Sequence, residues 1–278
     1  MTDHESSLSA LVESMIAPVL EAGAAIEAIR DRGYDVDTKS DGSVVTEADI
    51  KAEAILKAAI EELDKDAVVV GEESYQQDSR NRPATSFWLL DPLDGTREFV
   101  NGGEEYTVNA ALVQDGNPIL GLVMQPPTGK LWAGSSLGRL AFAQNRAGVR
   151  TPLYVKPQEN KPPVVLTSRR SRDPLTKEWI KRLGKHDRQS FSSSLKICMI
   201  AEGLAQVYPR VGQTSEWDTA AGHAVLLAAG GLVCDGQGQV LHYGKPDHLN
   251  GPFVAAASKT WVDRLGSKPD VASSGKRD

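Results

Sequence analysis

Two aspartates, Asp91 and Asp94, stand three residues apart at the end of a short apolar run. Residues 87–90, two aromatics followed by two leucines, are typical of a buried strand. Because Pro92 has no N–H to donate, we expect the strand to stop or turn at Asp91, with Asp94 in the turn that follows. Carboxylates bind hard divalent cations, and the N–H groups of the next two residues can point at an anion. The pattern indicates metal-assisted phosphoryl chemistry.

Two other interpretations of this stretch remain open. Asp-Pro and Asp-Gly pairs are common in ordinary turns. Phosphatases with an aspartyl nucleophile carry Asp-x-Asp-Gly-Thr after a strand, whereas the spacing here is Asp-x-x-Asp-Gly-Thr. Since the acid/base aspartate of that class stands two residues from its nucleophile, the extra residue counts against it.

Further acidic residues lie at the ends of predicted elements. Residues 68–70 predict a short buried strand that runs into Glu72 and Glu73, although solvent exposure is the commoner fate of such a pair. Ser215 and Asp218 have the spacing of a helix cap, which gives Asp218 a structural alternative. Converging carboxylates would repel one another without a cation, whereas two Mg²⁺ ions roughly 3.5–4 Å apart would make them a clamp for the attacking and leaving oxygens.

Composition restricts the class of protein. The chain has 278 residues, 40% of them hydrophobic, which is enough for a sizeable core and two subdomains. A net charge of −6 argues against nucleic-acid binding but not against a phosphate substrate. We find no apolar run long enough to span a membrane and no basic leader, which predicts a cytoplasmic protein. Cys198 and Cys234 are expected to be buried free thiols, and His223 a packed histidine rather than a ligand.

Periodic patterns predict the elements that position these acids. The first thirty residues predict a helix in which Pro18 introduces a kink or break. Residues 46–49 have the pattern of a capping box that opens a second helix. Asp115-Gly116-Asn117 predicts a hairpin within an antiparallel sheet, and strands alternating with helices after residue 163 predict an α/β arrangement.

The fold class is therefore mixed, with an α+β half and an α/β half. A proline-rich and charged segment, 156–163, marks the predicted boundary. We place the α+β subdomain with most of the acidic residues at 1–155, the α/β subdomain with Asp218 at 156–266, and a disordered tail at 267–278.

Three ordered motifs give the chain a family resemblance. They resemble the signatures of the lithium-sensitive, Mg²⁺-dependent phosphatases, which include inositol monophosphatase and fructose 1,6-bisphosphatase. The motifs are Gly-Glu-Glu-Ser at 71–74, Asp-Pro-Leu-Asp-Gly-Thr at 91–96 and Trp-Asp-Thr-Ala-Ala-Gly-His at 217–223. Within that superfamily, residues 94–99, 193–196 and 201–210 are most similar to the bacterial 3′(2′),5′-bisphosphate nucleotidases of sulfate assimilation, the CysQ type.

The resemblance implies a layered αβαβα sandwich of the inositol monophosphatase type and a set of metal ligands. Glu72, Asp91 and the carbonyl of Leu93 would hold a first Mg²⁺. Asp91, Asp94 and Asp218 would hold a second.

The resemblance also implies how substrate and water are held. The Gly95 and Thr96 N–H groups would meet the scissile phosphate, and Glu72, Leu93, Asp94 and Asp218 would also face the substrate. Asp49 and the Thr96 hydroxyl would orient the attacking water, with Glu72 and a third, weaker metal as a further expectation.

A second phosphate would be bound by Ser193, Lys196 and Arg210, which match positions for the non-scissile 5′-phosphate of the nucleotide. Their structural alternative is a helix cap and two surface cations. Two features depart from the pattern: Arg97 replaces the more usual lysine, and the loop 168–172 lacks the histidine often found in Ser-Arg-Ser-His.

We hypothesise that the protein hydrolyses 3′-phosphoadenosine 5′-phosphate to AMP and phosphate, with 3′-phosphoadenosine 5′-phosphosulfate as a further substrate. The resemblance also implies that millimolar Li⁺ inhibits this activity. The alternatives are an inositol monophosphatase or broad sugar phosphatase and, from another class, a non-catalytic phosphonucleotide-binding protein. The expected partner is a small phosphonucleotide, with no nucleic acid and no transmembrane segment. The chain is expected to act as a monomer or homodimer, with peripheral inner-membrane association left open.

Overall fold

Helices and strands alternate along the chain, and the computed structural model describes them over residues 3–39, 42–75, 85–137, 140–169 and 173–269, with side chains from residue 7. The helices within these ranges are α1 (Asp3–Arg32), α2 (Glu47–Leu63), α3 (Thr96–Val100), α4 (Pro174–Lys181), α5 (Leu195–Ala201), α6 (Ala220–Ala228) and α7 (Lys259–Leu265). The strands are β1 (Val36–Thr38), β2 (Val44–Thr46), β3 (Val69–Gly71), β4 (Ser86–Asp94), β5 (Thr107–Gln114), β6 (Asn117–Gln125), β7 (Lys130–Ser135), β8 (Leu140–Gln144), β9 (Arg150–Pro152), β10 (Val164–Ser168), β11 (Asp187–Phe191), β12 (Val207–Arg210), β13 (Thr214–Ser215), β14 (Leu232–Asp235), β15 (Leu249–Asn250) and β16 (Phe253–Ala256).

The first large sheet has seven strands in the order β3-β4-β5-β6-β7-β8-β9. Every neighbouring pair is antiparallel except β3 and β4, which run parallel. The predicted hairpin is confirmed, because Asp115 and Gly116 take φ values of 49° and 74° between β5 and β6. Such positive φ angles match the right-handed twist of the paired strands.

The second large sheet has five strands in the order β11-β10-β12-β16-β14. The first three are parallel, and β16 runs antiparallel to both of its neighbours. The strand β11 is polar and mostly exposed, so its sequence lacks the apolar signal by which the other strands could be predicted.

The helices and sheets form five layers, which pack together through three apolar clusters. The helices α1 and α2 cover one face of the first sheet, α5 and α6 fill the space between the two sheets, and α4 and α7 cover the outer face of the second sheet. Gly121 and Gly134 allow α6 to approach the first sheet, since a Cβ atom on Gly121 would lie 2.2 Å from the carbonyl oxygen of Ala221. The predicted αβαβα sandwich is thus confirmed, while the subdomain boundary at 155/156 stays a prediction and residues 270–278 of the predicted tail lie outside the described residues.

The predicted helix break at Pro18 and the predicted strand end at Asp91 were wrong, while a kink at Pro18 stays a prediction. The helix α1 runs without a break through Pro18, because burial of one face, including Val12, Met15 and Val19, holds both of its halves against the sheet. The strand β4 does not stop at Asp91 but continues to Asp94, with a register shift against β5 that accommodates Pro92.

The expectation that no segment has the length and composition to cross a membrane was also wrong. Within the described residues, Ser7–Arg32 of α1 meets both criteria. The apolar side chains of this helix pack in the cluster beneath the first sheet, so burial in the protein core accounts for their composition.

Candidate active site

Four carboxylates converge where β4 ends. Asp91 is buried, and the charges of Glu72, Asp94 and Asp218 act on it and raise its pKa, while Asp94 occupies the end of the strand. Glu72 follows β3, which is parallel to β4, so both acidic segments leave the sheet at the same edge. Asp218 comes from the turn before α6, in the predicted second half of the chain. The structure therefore brings together all four acids that the sequence singled out.

Burial raises the pKa values of these acids, and repulsion between neighbouring carboxylates adds to the rise for Glu72, Asp91 and Asp218. Burial, followed by the charge of Asp218, raises the pKa of Glu72 to about 8. Burial, followed by the charge of Asp94, raises the pKa of Asp218 to about 7. The pKa values of Asp91 and Asp94 are raised chiefly by burial as well. Such a set is costly unless protons or a cation neutralise it.

The donor set fits a hard divalent cation. It consists of carboxylate oxygens and the nearby carbonyl of the buried Leu93, which are the ligands that Mg²⁺ prefers. As they stand, no three acidic, histidine or cysteine side chains in the described part of the chain form a ready-made metal-binding group. The Leu93 carbonyl accepts a hydrogen bond from Thr96 Oγ1 at 3.0 Å.

The Thr96 hydroxyl is held between two acceptors. Its Oγ1 lies 3.1 Å from Oδ1 of Asp49, in addition to its contact with Leu93. The other oxygen of Asp49 accepts hydrogen bonds from the backbone N and the side chain of Thr46, which completes the predicted capping box of α2. Asp49 thus caps α2 and also contacts Thr96.

Gly95 shapes the turn that presents the first amides of α3. Its φ is +102°, and a Cβ atom there would lie 3.1 Å from the carbonyl oxygen of Glu105. The first N–H groups of a helix have no carbonyl partner within the helix, so the amides of Gly95 and Thr96 are suited to an anion.

One cavity of about 360 Å³ joins the acids to the predicted cations. Glu72, Asp94 and Asp218 line it together with Gly95 and Thr96, whereas Asp49, Asp91 and Leu93 lie behind this lining. The remaining predicted binding residues also line it: Ser193, Lys196 and Arg210.

Lys196 is not a surface cation. Its side chain is buried, donates to the Ser193 carbonyl, and places Nζ 5.2 Å from the centre of the Tyr208 ring. Arg210 donates to the Ser168 hydroxyl at 2.9 Å and to the Tyr208 hydroxyl at 3.3 Å. Burial alone would raise the pKa of Tyr208, but the two cations outweigh it and the pKa is lowered. Buried positive charge at this end of the cavity favours an anionic ligand.

Ser193 does not cap a helix. It has a φ of +53°, and its buried hydroxyl has no hydrogen-bond partner in the residues that the structure describes. Arg97 lies at the edge of the cavity and donates to the Gly42 carbonyl at 3.2 Å. Of the loop 168–172, Arg169 forms an ion pair with Glu105, and 170–172 lie outside the described residues.

Three residues near the acids were missed from the sequence. Lys39 Nζ lies 2.7 Å from Glu73 and 3.5 Å from Glu72, although no motif of the sequence singled it out. Glu53 accepts from the Glu73 amide at 2.8 Å, and its position one turn after Asp49 on α2 was a usable signal. The third is Ser194, whose hydroxyl lies 3.0 Å from Asp94 Oδ2.

The buried side chains agree with their predicted states. Cys198 and Cys234 are buried free thiols. His223 is fully buried, and its Nδ1 lies 3.0 Å from the Tyr243 hydroxyl. His223 therefore packs in the protein core against Tyr243, as expected for a packed histidine.

Comparisons with known proteins agree with one another. The model of the inositol monophosphatase family matches residues 8–268. A 3′(2′),5′-bisphosphate nucleotidase CysQ of Escherichia coli K12 is 42% identical over 224 residues, covering 80% of this chain and 89% of the relative. The corresponding protein of Salmonella typhimurium is 38% identical over 243 residues, covering 84% of this chain and 94% of the relative.

Solved structures resemble the fold over nearly the whole chain. The crystal structure of CysQ from Bacteroides thetaiotaomicron, a bacterial member of the inositol monophosphatase family, has a TM-score of 0.78 and 32% identity, covering 90% of this chain and 98% of that one. An inositol monophosphatase from Thermotoga maritima has a TM-score of 0.72 at 22% identity, covering 90% and 93% of the two chains. At that identity the second likeness concerns the fold alone.

Proposed function

The chain belongs to the inositol monophosphatase family, and from this premise we propose that it is a Mg²⁺-dependent 3′(2′),5′-bisphosphate nucleotidase. Its substrate would be 3′-phosphoadenosine 5′-phosphate, which it would hydrolyse to AMP and inorganic phosphate. The relatives from Escherichia coli and Salmonella typhimurium carry the name of this activity and align over most of their length.

The burial of Lys196 beside Arg210 carries the proposal. A monophosphate needs charge compensation only at the carboxylate end of the cavity, whereas a bisphosphate also needs a second anion site. A buried lysine is costly unless it is paired, and the cavity that Lys196 lines has room for a ligand. The unpartnered hydroxyl of Ser193 adds a donor at the same end.

We propose that Glu72, Asp91 and the Leu93 carbonyl hold one Mg²⁺ and that Asp91, Asp94 and Asp218 hold a second, with a third weaker ion near Glu72 and Asp49. When bound, such ions supply an activated water and neutralise charge on the attacking and leaving oxygens.

The chain's own groups would position the reactants. Because Asp49 Oδ1 can accept the Thr96 hydroxyl hydrogen, the lone pairs of Thr96 Oγ1 would be directed at the attacking water. The amides of Gly95 and Thr96 would donate to the phosphoryl oxygens, where negative charge increases in the transition state. Arg210, Lys196 and Ser193 would fix the 5′-phosphate and so aim the 3′-phosphate at the carboxylates.

A second candidate is an inositol monophosphatase or broad sugar phosphatase, which the family match favours because that chemistry needs the same carboxylates. Hydrolysis of 3′-phosphoadenosine 5′-phosphosulfate, the cytoplasmic location, peripheral membrane association and the oligomeric state remain predictions.

The test is phosphate release in Mg²⁺ from three substrates side by side: 3′-phosphoadenosine 5′-phosphate, inositol 1-phosphate and fructose 1,6-bisphosphate. We expect kcat/KM to be highest for the nucleotide by at least about tenfold, since a buried charge-assisted contact contributes 1.5–3 kcal/mol. A preference for inositol 1-phosphate would keep the metal chemistry and reject the substrate. Calorimetric binding of the nucleotide without phosphate release would instead identify a non-catalytic phosphonucleotide-binding protein.

A further inference from the structure

Ser194 occupies the N-cap position of α5, but its side chain makes no capping hydrogen bond to that helix. Its hydroxyl instead reaches the turn before α6, where Oγ lies 2.6 Å from the backbone carbonyl oxygen of Asp218. The same atom lies 3.0 Å from Oδ2 of Asp94 at the end of β4. A serine that would ordinarily cap its own helix therefore links two segments that are distant in sequence.

Asn109 fixes the direction of this hydroxyl. Its Nδ2 donates to Ser194 Oγ at 3.0 Å, and an amide nitrogen can only donate. The single hydrogen of Ser194 must then point toward Asp94 or Asp218. Asn109 itself lies opposite Asp91 in the β4–β5 ladder, so its place is set by the sheet.

Both members of this pair are almost fully buried. Ser194 is 3% exposed and Asn109 is 1% exposed. Burial raises the pKa of Asp94, and its hydrogen bonding to Ser194 is among the effects that oppose this rise. Buried, mutually oriented hydrogen bonds hold side chains in one rotamer.

We propose that Ser194, oriented by Asn109, is a positioning residue that sets the place of the Asp94 carboxylate relative to Asp218, so that the two can share one Mg²⁺. This inference rests on the metal site of the proposed function. Like charges at two carboxylates favour rotamers that separate them, and the Ser194 hydroxyl opposes that separation because it lies within hydrogen-bond distance of the Asp218 backbone and of the Asp94 side chain and can donate its one hydrogen to either. Loss of such an outer partner commonly weakens metal binding 10–100-fold.

The experiment measures binding of Mn²⁺ to substrate-free protein by electron paramagnetic resonance, so it does not depend on turnover. The variants are S194A, which removes the hydroxyl, S194T, which keeps it, and N109A, which removes the donor that orients it. The control is S190A, because the exposed Ser190 on β11 bonds only to Thr167 in the part of the chain described by the structure.

We expect S194A to raise the Kd for Mn²⁺ by about 10–100-fold, S194T to remain within about threefold of wild type, and N109A to weaken binding less than S194A. In turnover assays, high Mg²⁺ should restore much of the S194A kcat with little change in KM for the nucleotide. Circular dichroism identifies variants that fail to fold, and N109A tests the inference if S194A is one of them.

A folded S194A protein that binds Mn²⁺ within twofold of wild type would overturn the inference and leave the proposed function intact. Weakened Mn²⁺ binding in S194A, with no nucleotidase activity in the wild type, would reject the function and support the inference. Wild-type protein that binds no Mn²⁺ would overturn both.

Discussion

Thr96 and Asp49, 47 residues apart in sequence, are joined by a hydrogen bond of 3.1 Å between Thr96 Oγ1 and Asp49 Oδ1. The second oxygen of Asp49 accepts from Thr46 and so begins α2. A side chain that is already fixed by a helix cap costs little further entropy when it orients a hydroxyl at the site. The bond therefore connects the start of one helix with the chemistry at the start of another.

Replacement of Thr96 by valine should reduce kcat more than it changes KM. The valine keeps the shape of the side chain but cannot hold a water molecule, so we expect a loss of about 10²–10³-fold, as for removal of one positioned polar group in other enzymes. T96S retains the hydroxyl and should stay within about tenfold of wild type. Steady-state kinetics on 3′-phosphoadenosine 5′-phosphate provide the measurement, and equal effects of the two variants would contradict a role for the hydroxyl.

Replacement of Asp91 by asparagine should lower kcat about a thousandfold or more, because this buried carboxyl lies within the field of Glu72, Asp94 and Asp218 and is the predicted ligand of two ions. The matched control is D115N on the exposed hairpin turn, which should leave turnover unchanged. Mg²⁺-dependent turnover near the wild-type rate in D91N would rule out the two-metal assignment.

The sequence predicted the acidic half of the site better than its supports. Asp91, Asp94 and Asp218 stand at strand ends and helix starts, and local patterns locate such positions well. The supports could not be predicted in this way, because Ser194 and Asn109 are 85 residues apart and meet only through tertiary packing. The same limit applied to Lys39, which a loop sequence gave no reason to place beside Glu73.

Helices and strands could be predicted where the pattern of apolar residues in the sequence matched the residues that are buried in the structure. The turn signal at Asp115-Gly116-Asn117 located the hairpin of β5 and β6, and the sheet confirmed it. Pro18 does not break α1, because packing along the buried face of the helix outweighs one missing hydrogen bond. The strand β11 was invisible, because it is polar and its pairing with β10 is decided by the backbone rather than by side chains.

Charge removal at Lys196 and Arg210 should change substrate preference rather than chemistry. We expect K196M and R210M together to raise KM for 3′-phosphoadenosine 5′-phosphate at least about tenfold, and KM for inositol 1-phosphate less than threefold. Methionine is chosen because it keeps most of the buried aliphatic stem of the lysine.

The control for these cation variants is R188M, which removes an exposed arginine from β11 and should leave both KM values unchanged. An equal rise in KM for the two substrates in the double variant would show that the cations do not bind a second phosphate.

Alanine at Gly95 should destabilise the protein more than alanine at Gly102. Both glycines have positive φ, which costs alanine about 1–2 kcal/mol, but a Cβ atom at Gly95 also meets the Glu105 carbonyl at 3.1 Å whereas one at Gly102 meets nothing within 4 Å. We therefore expect a larger loss in the free energy of urea unfolding for G95A, together with reduced turnover. Equal stability of the two variants would show that the turn relaxes without cost.

His223 should make the stability of the protein fall as the pH falls below neutrality. Burial, with a smaller effect of His242, lowers its pKa from 6.5 to about 3. Below pH 6.5 the unfolded chain therefore binds a proton at His223 that the folded chain does not bind. The stabilisation that neutral His223 provides is fully present above pH 6.5 and is lost progressively as the pH falls toward the folded pKa of about 3. We expect about 2 kcal/mol of unfolding free energy to be lost between pH 7 and pH 5 through this group. In H223Q, whose side chain does not titrate, the free energy of urea unfolding should fall by about 2 kcal/mol less than in wild type over the same pH range. Identical pH profiles of the two proteins would show that His223 has the same pKa in the folded and unfolded states.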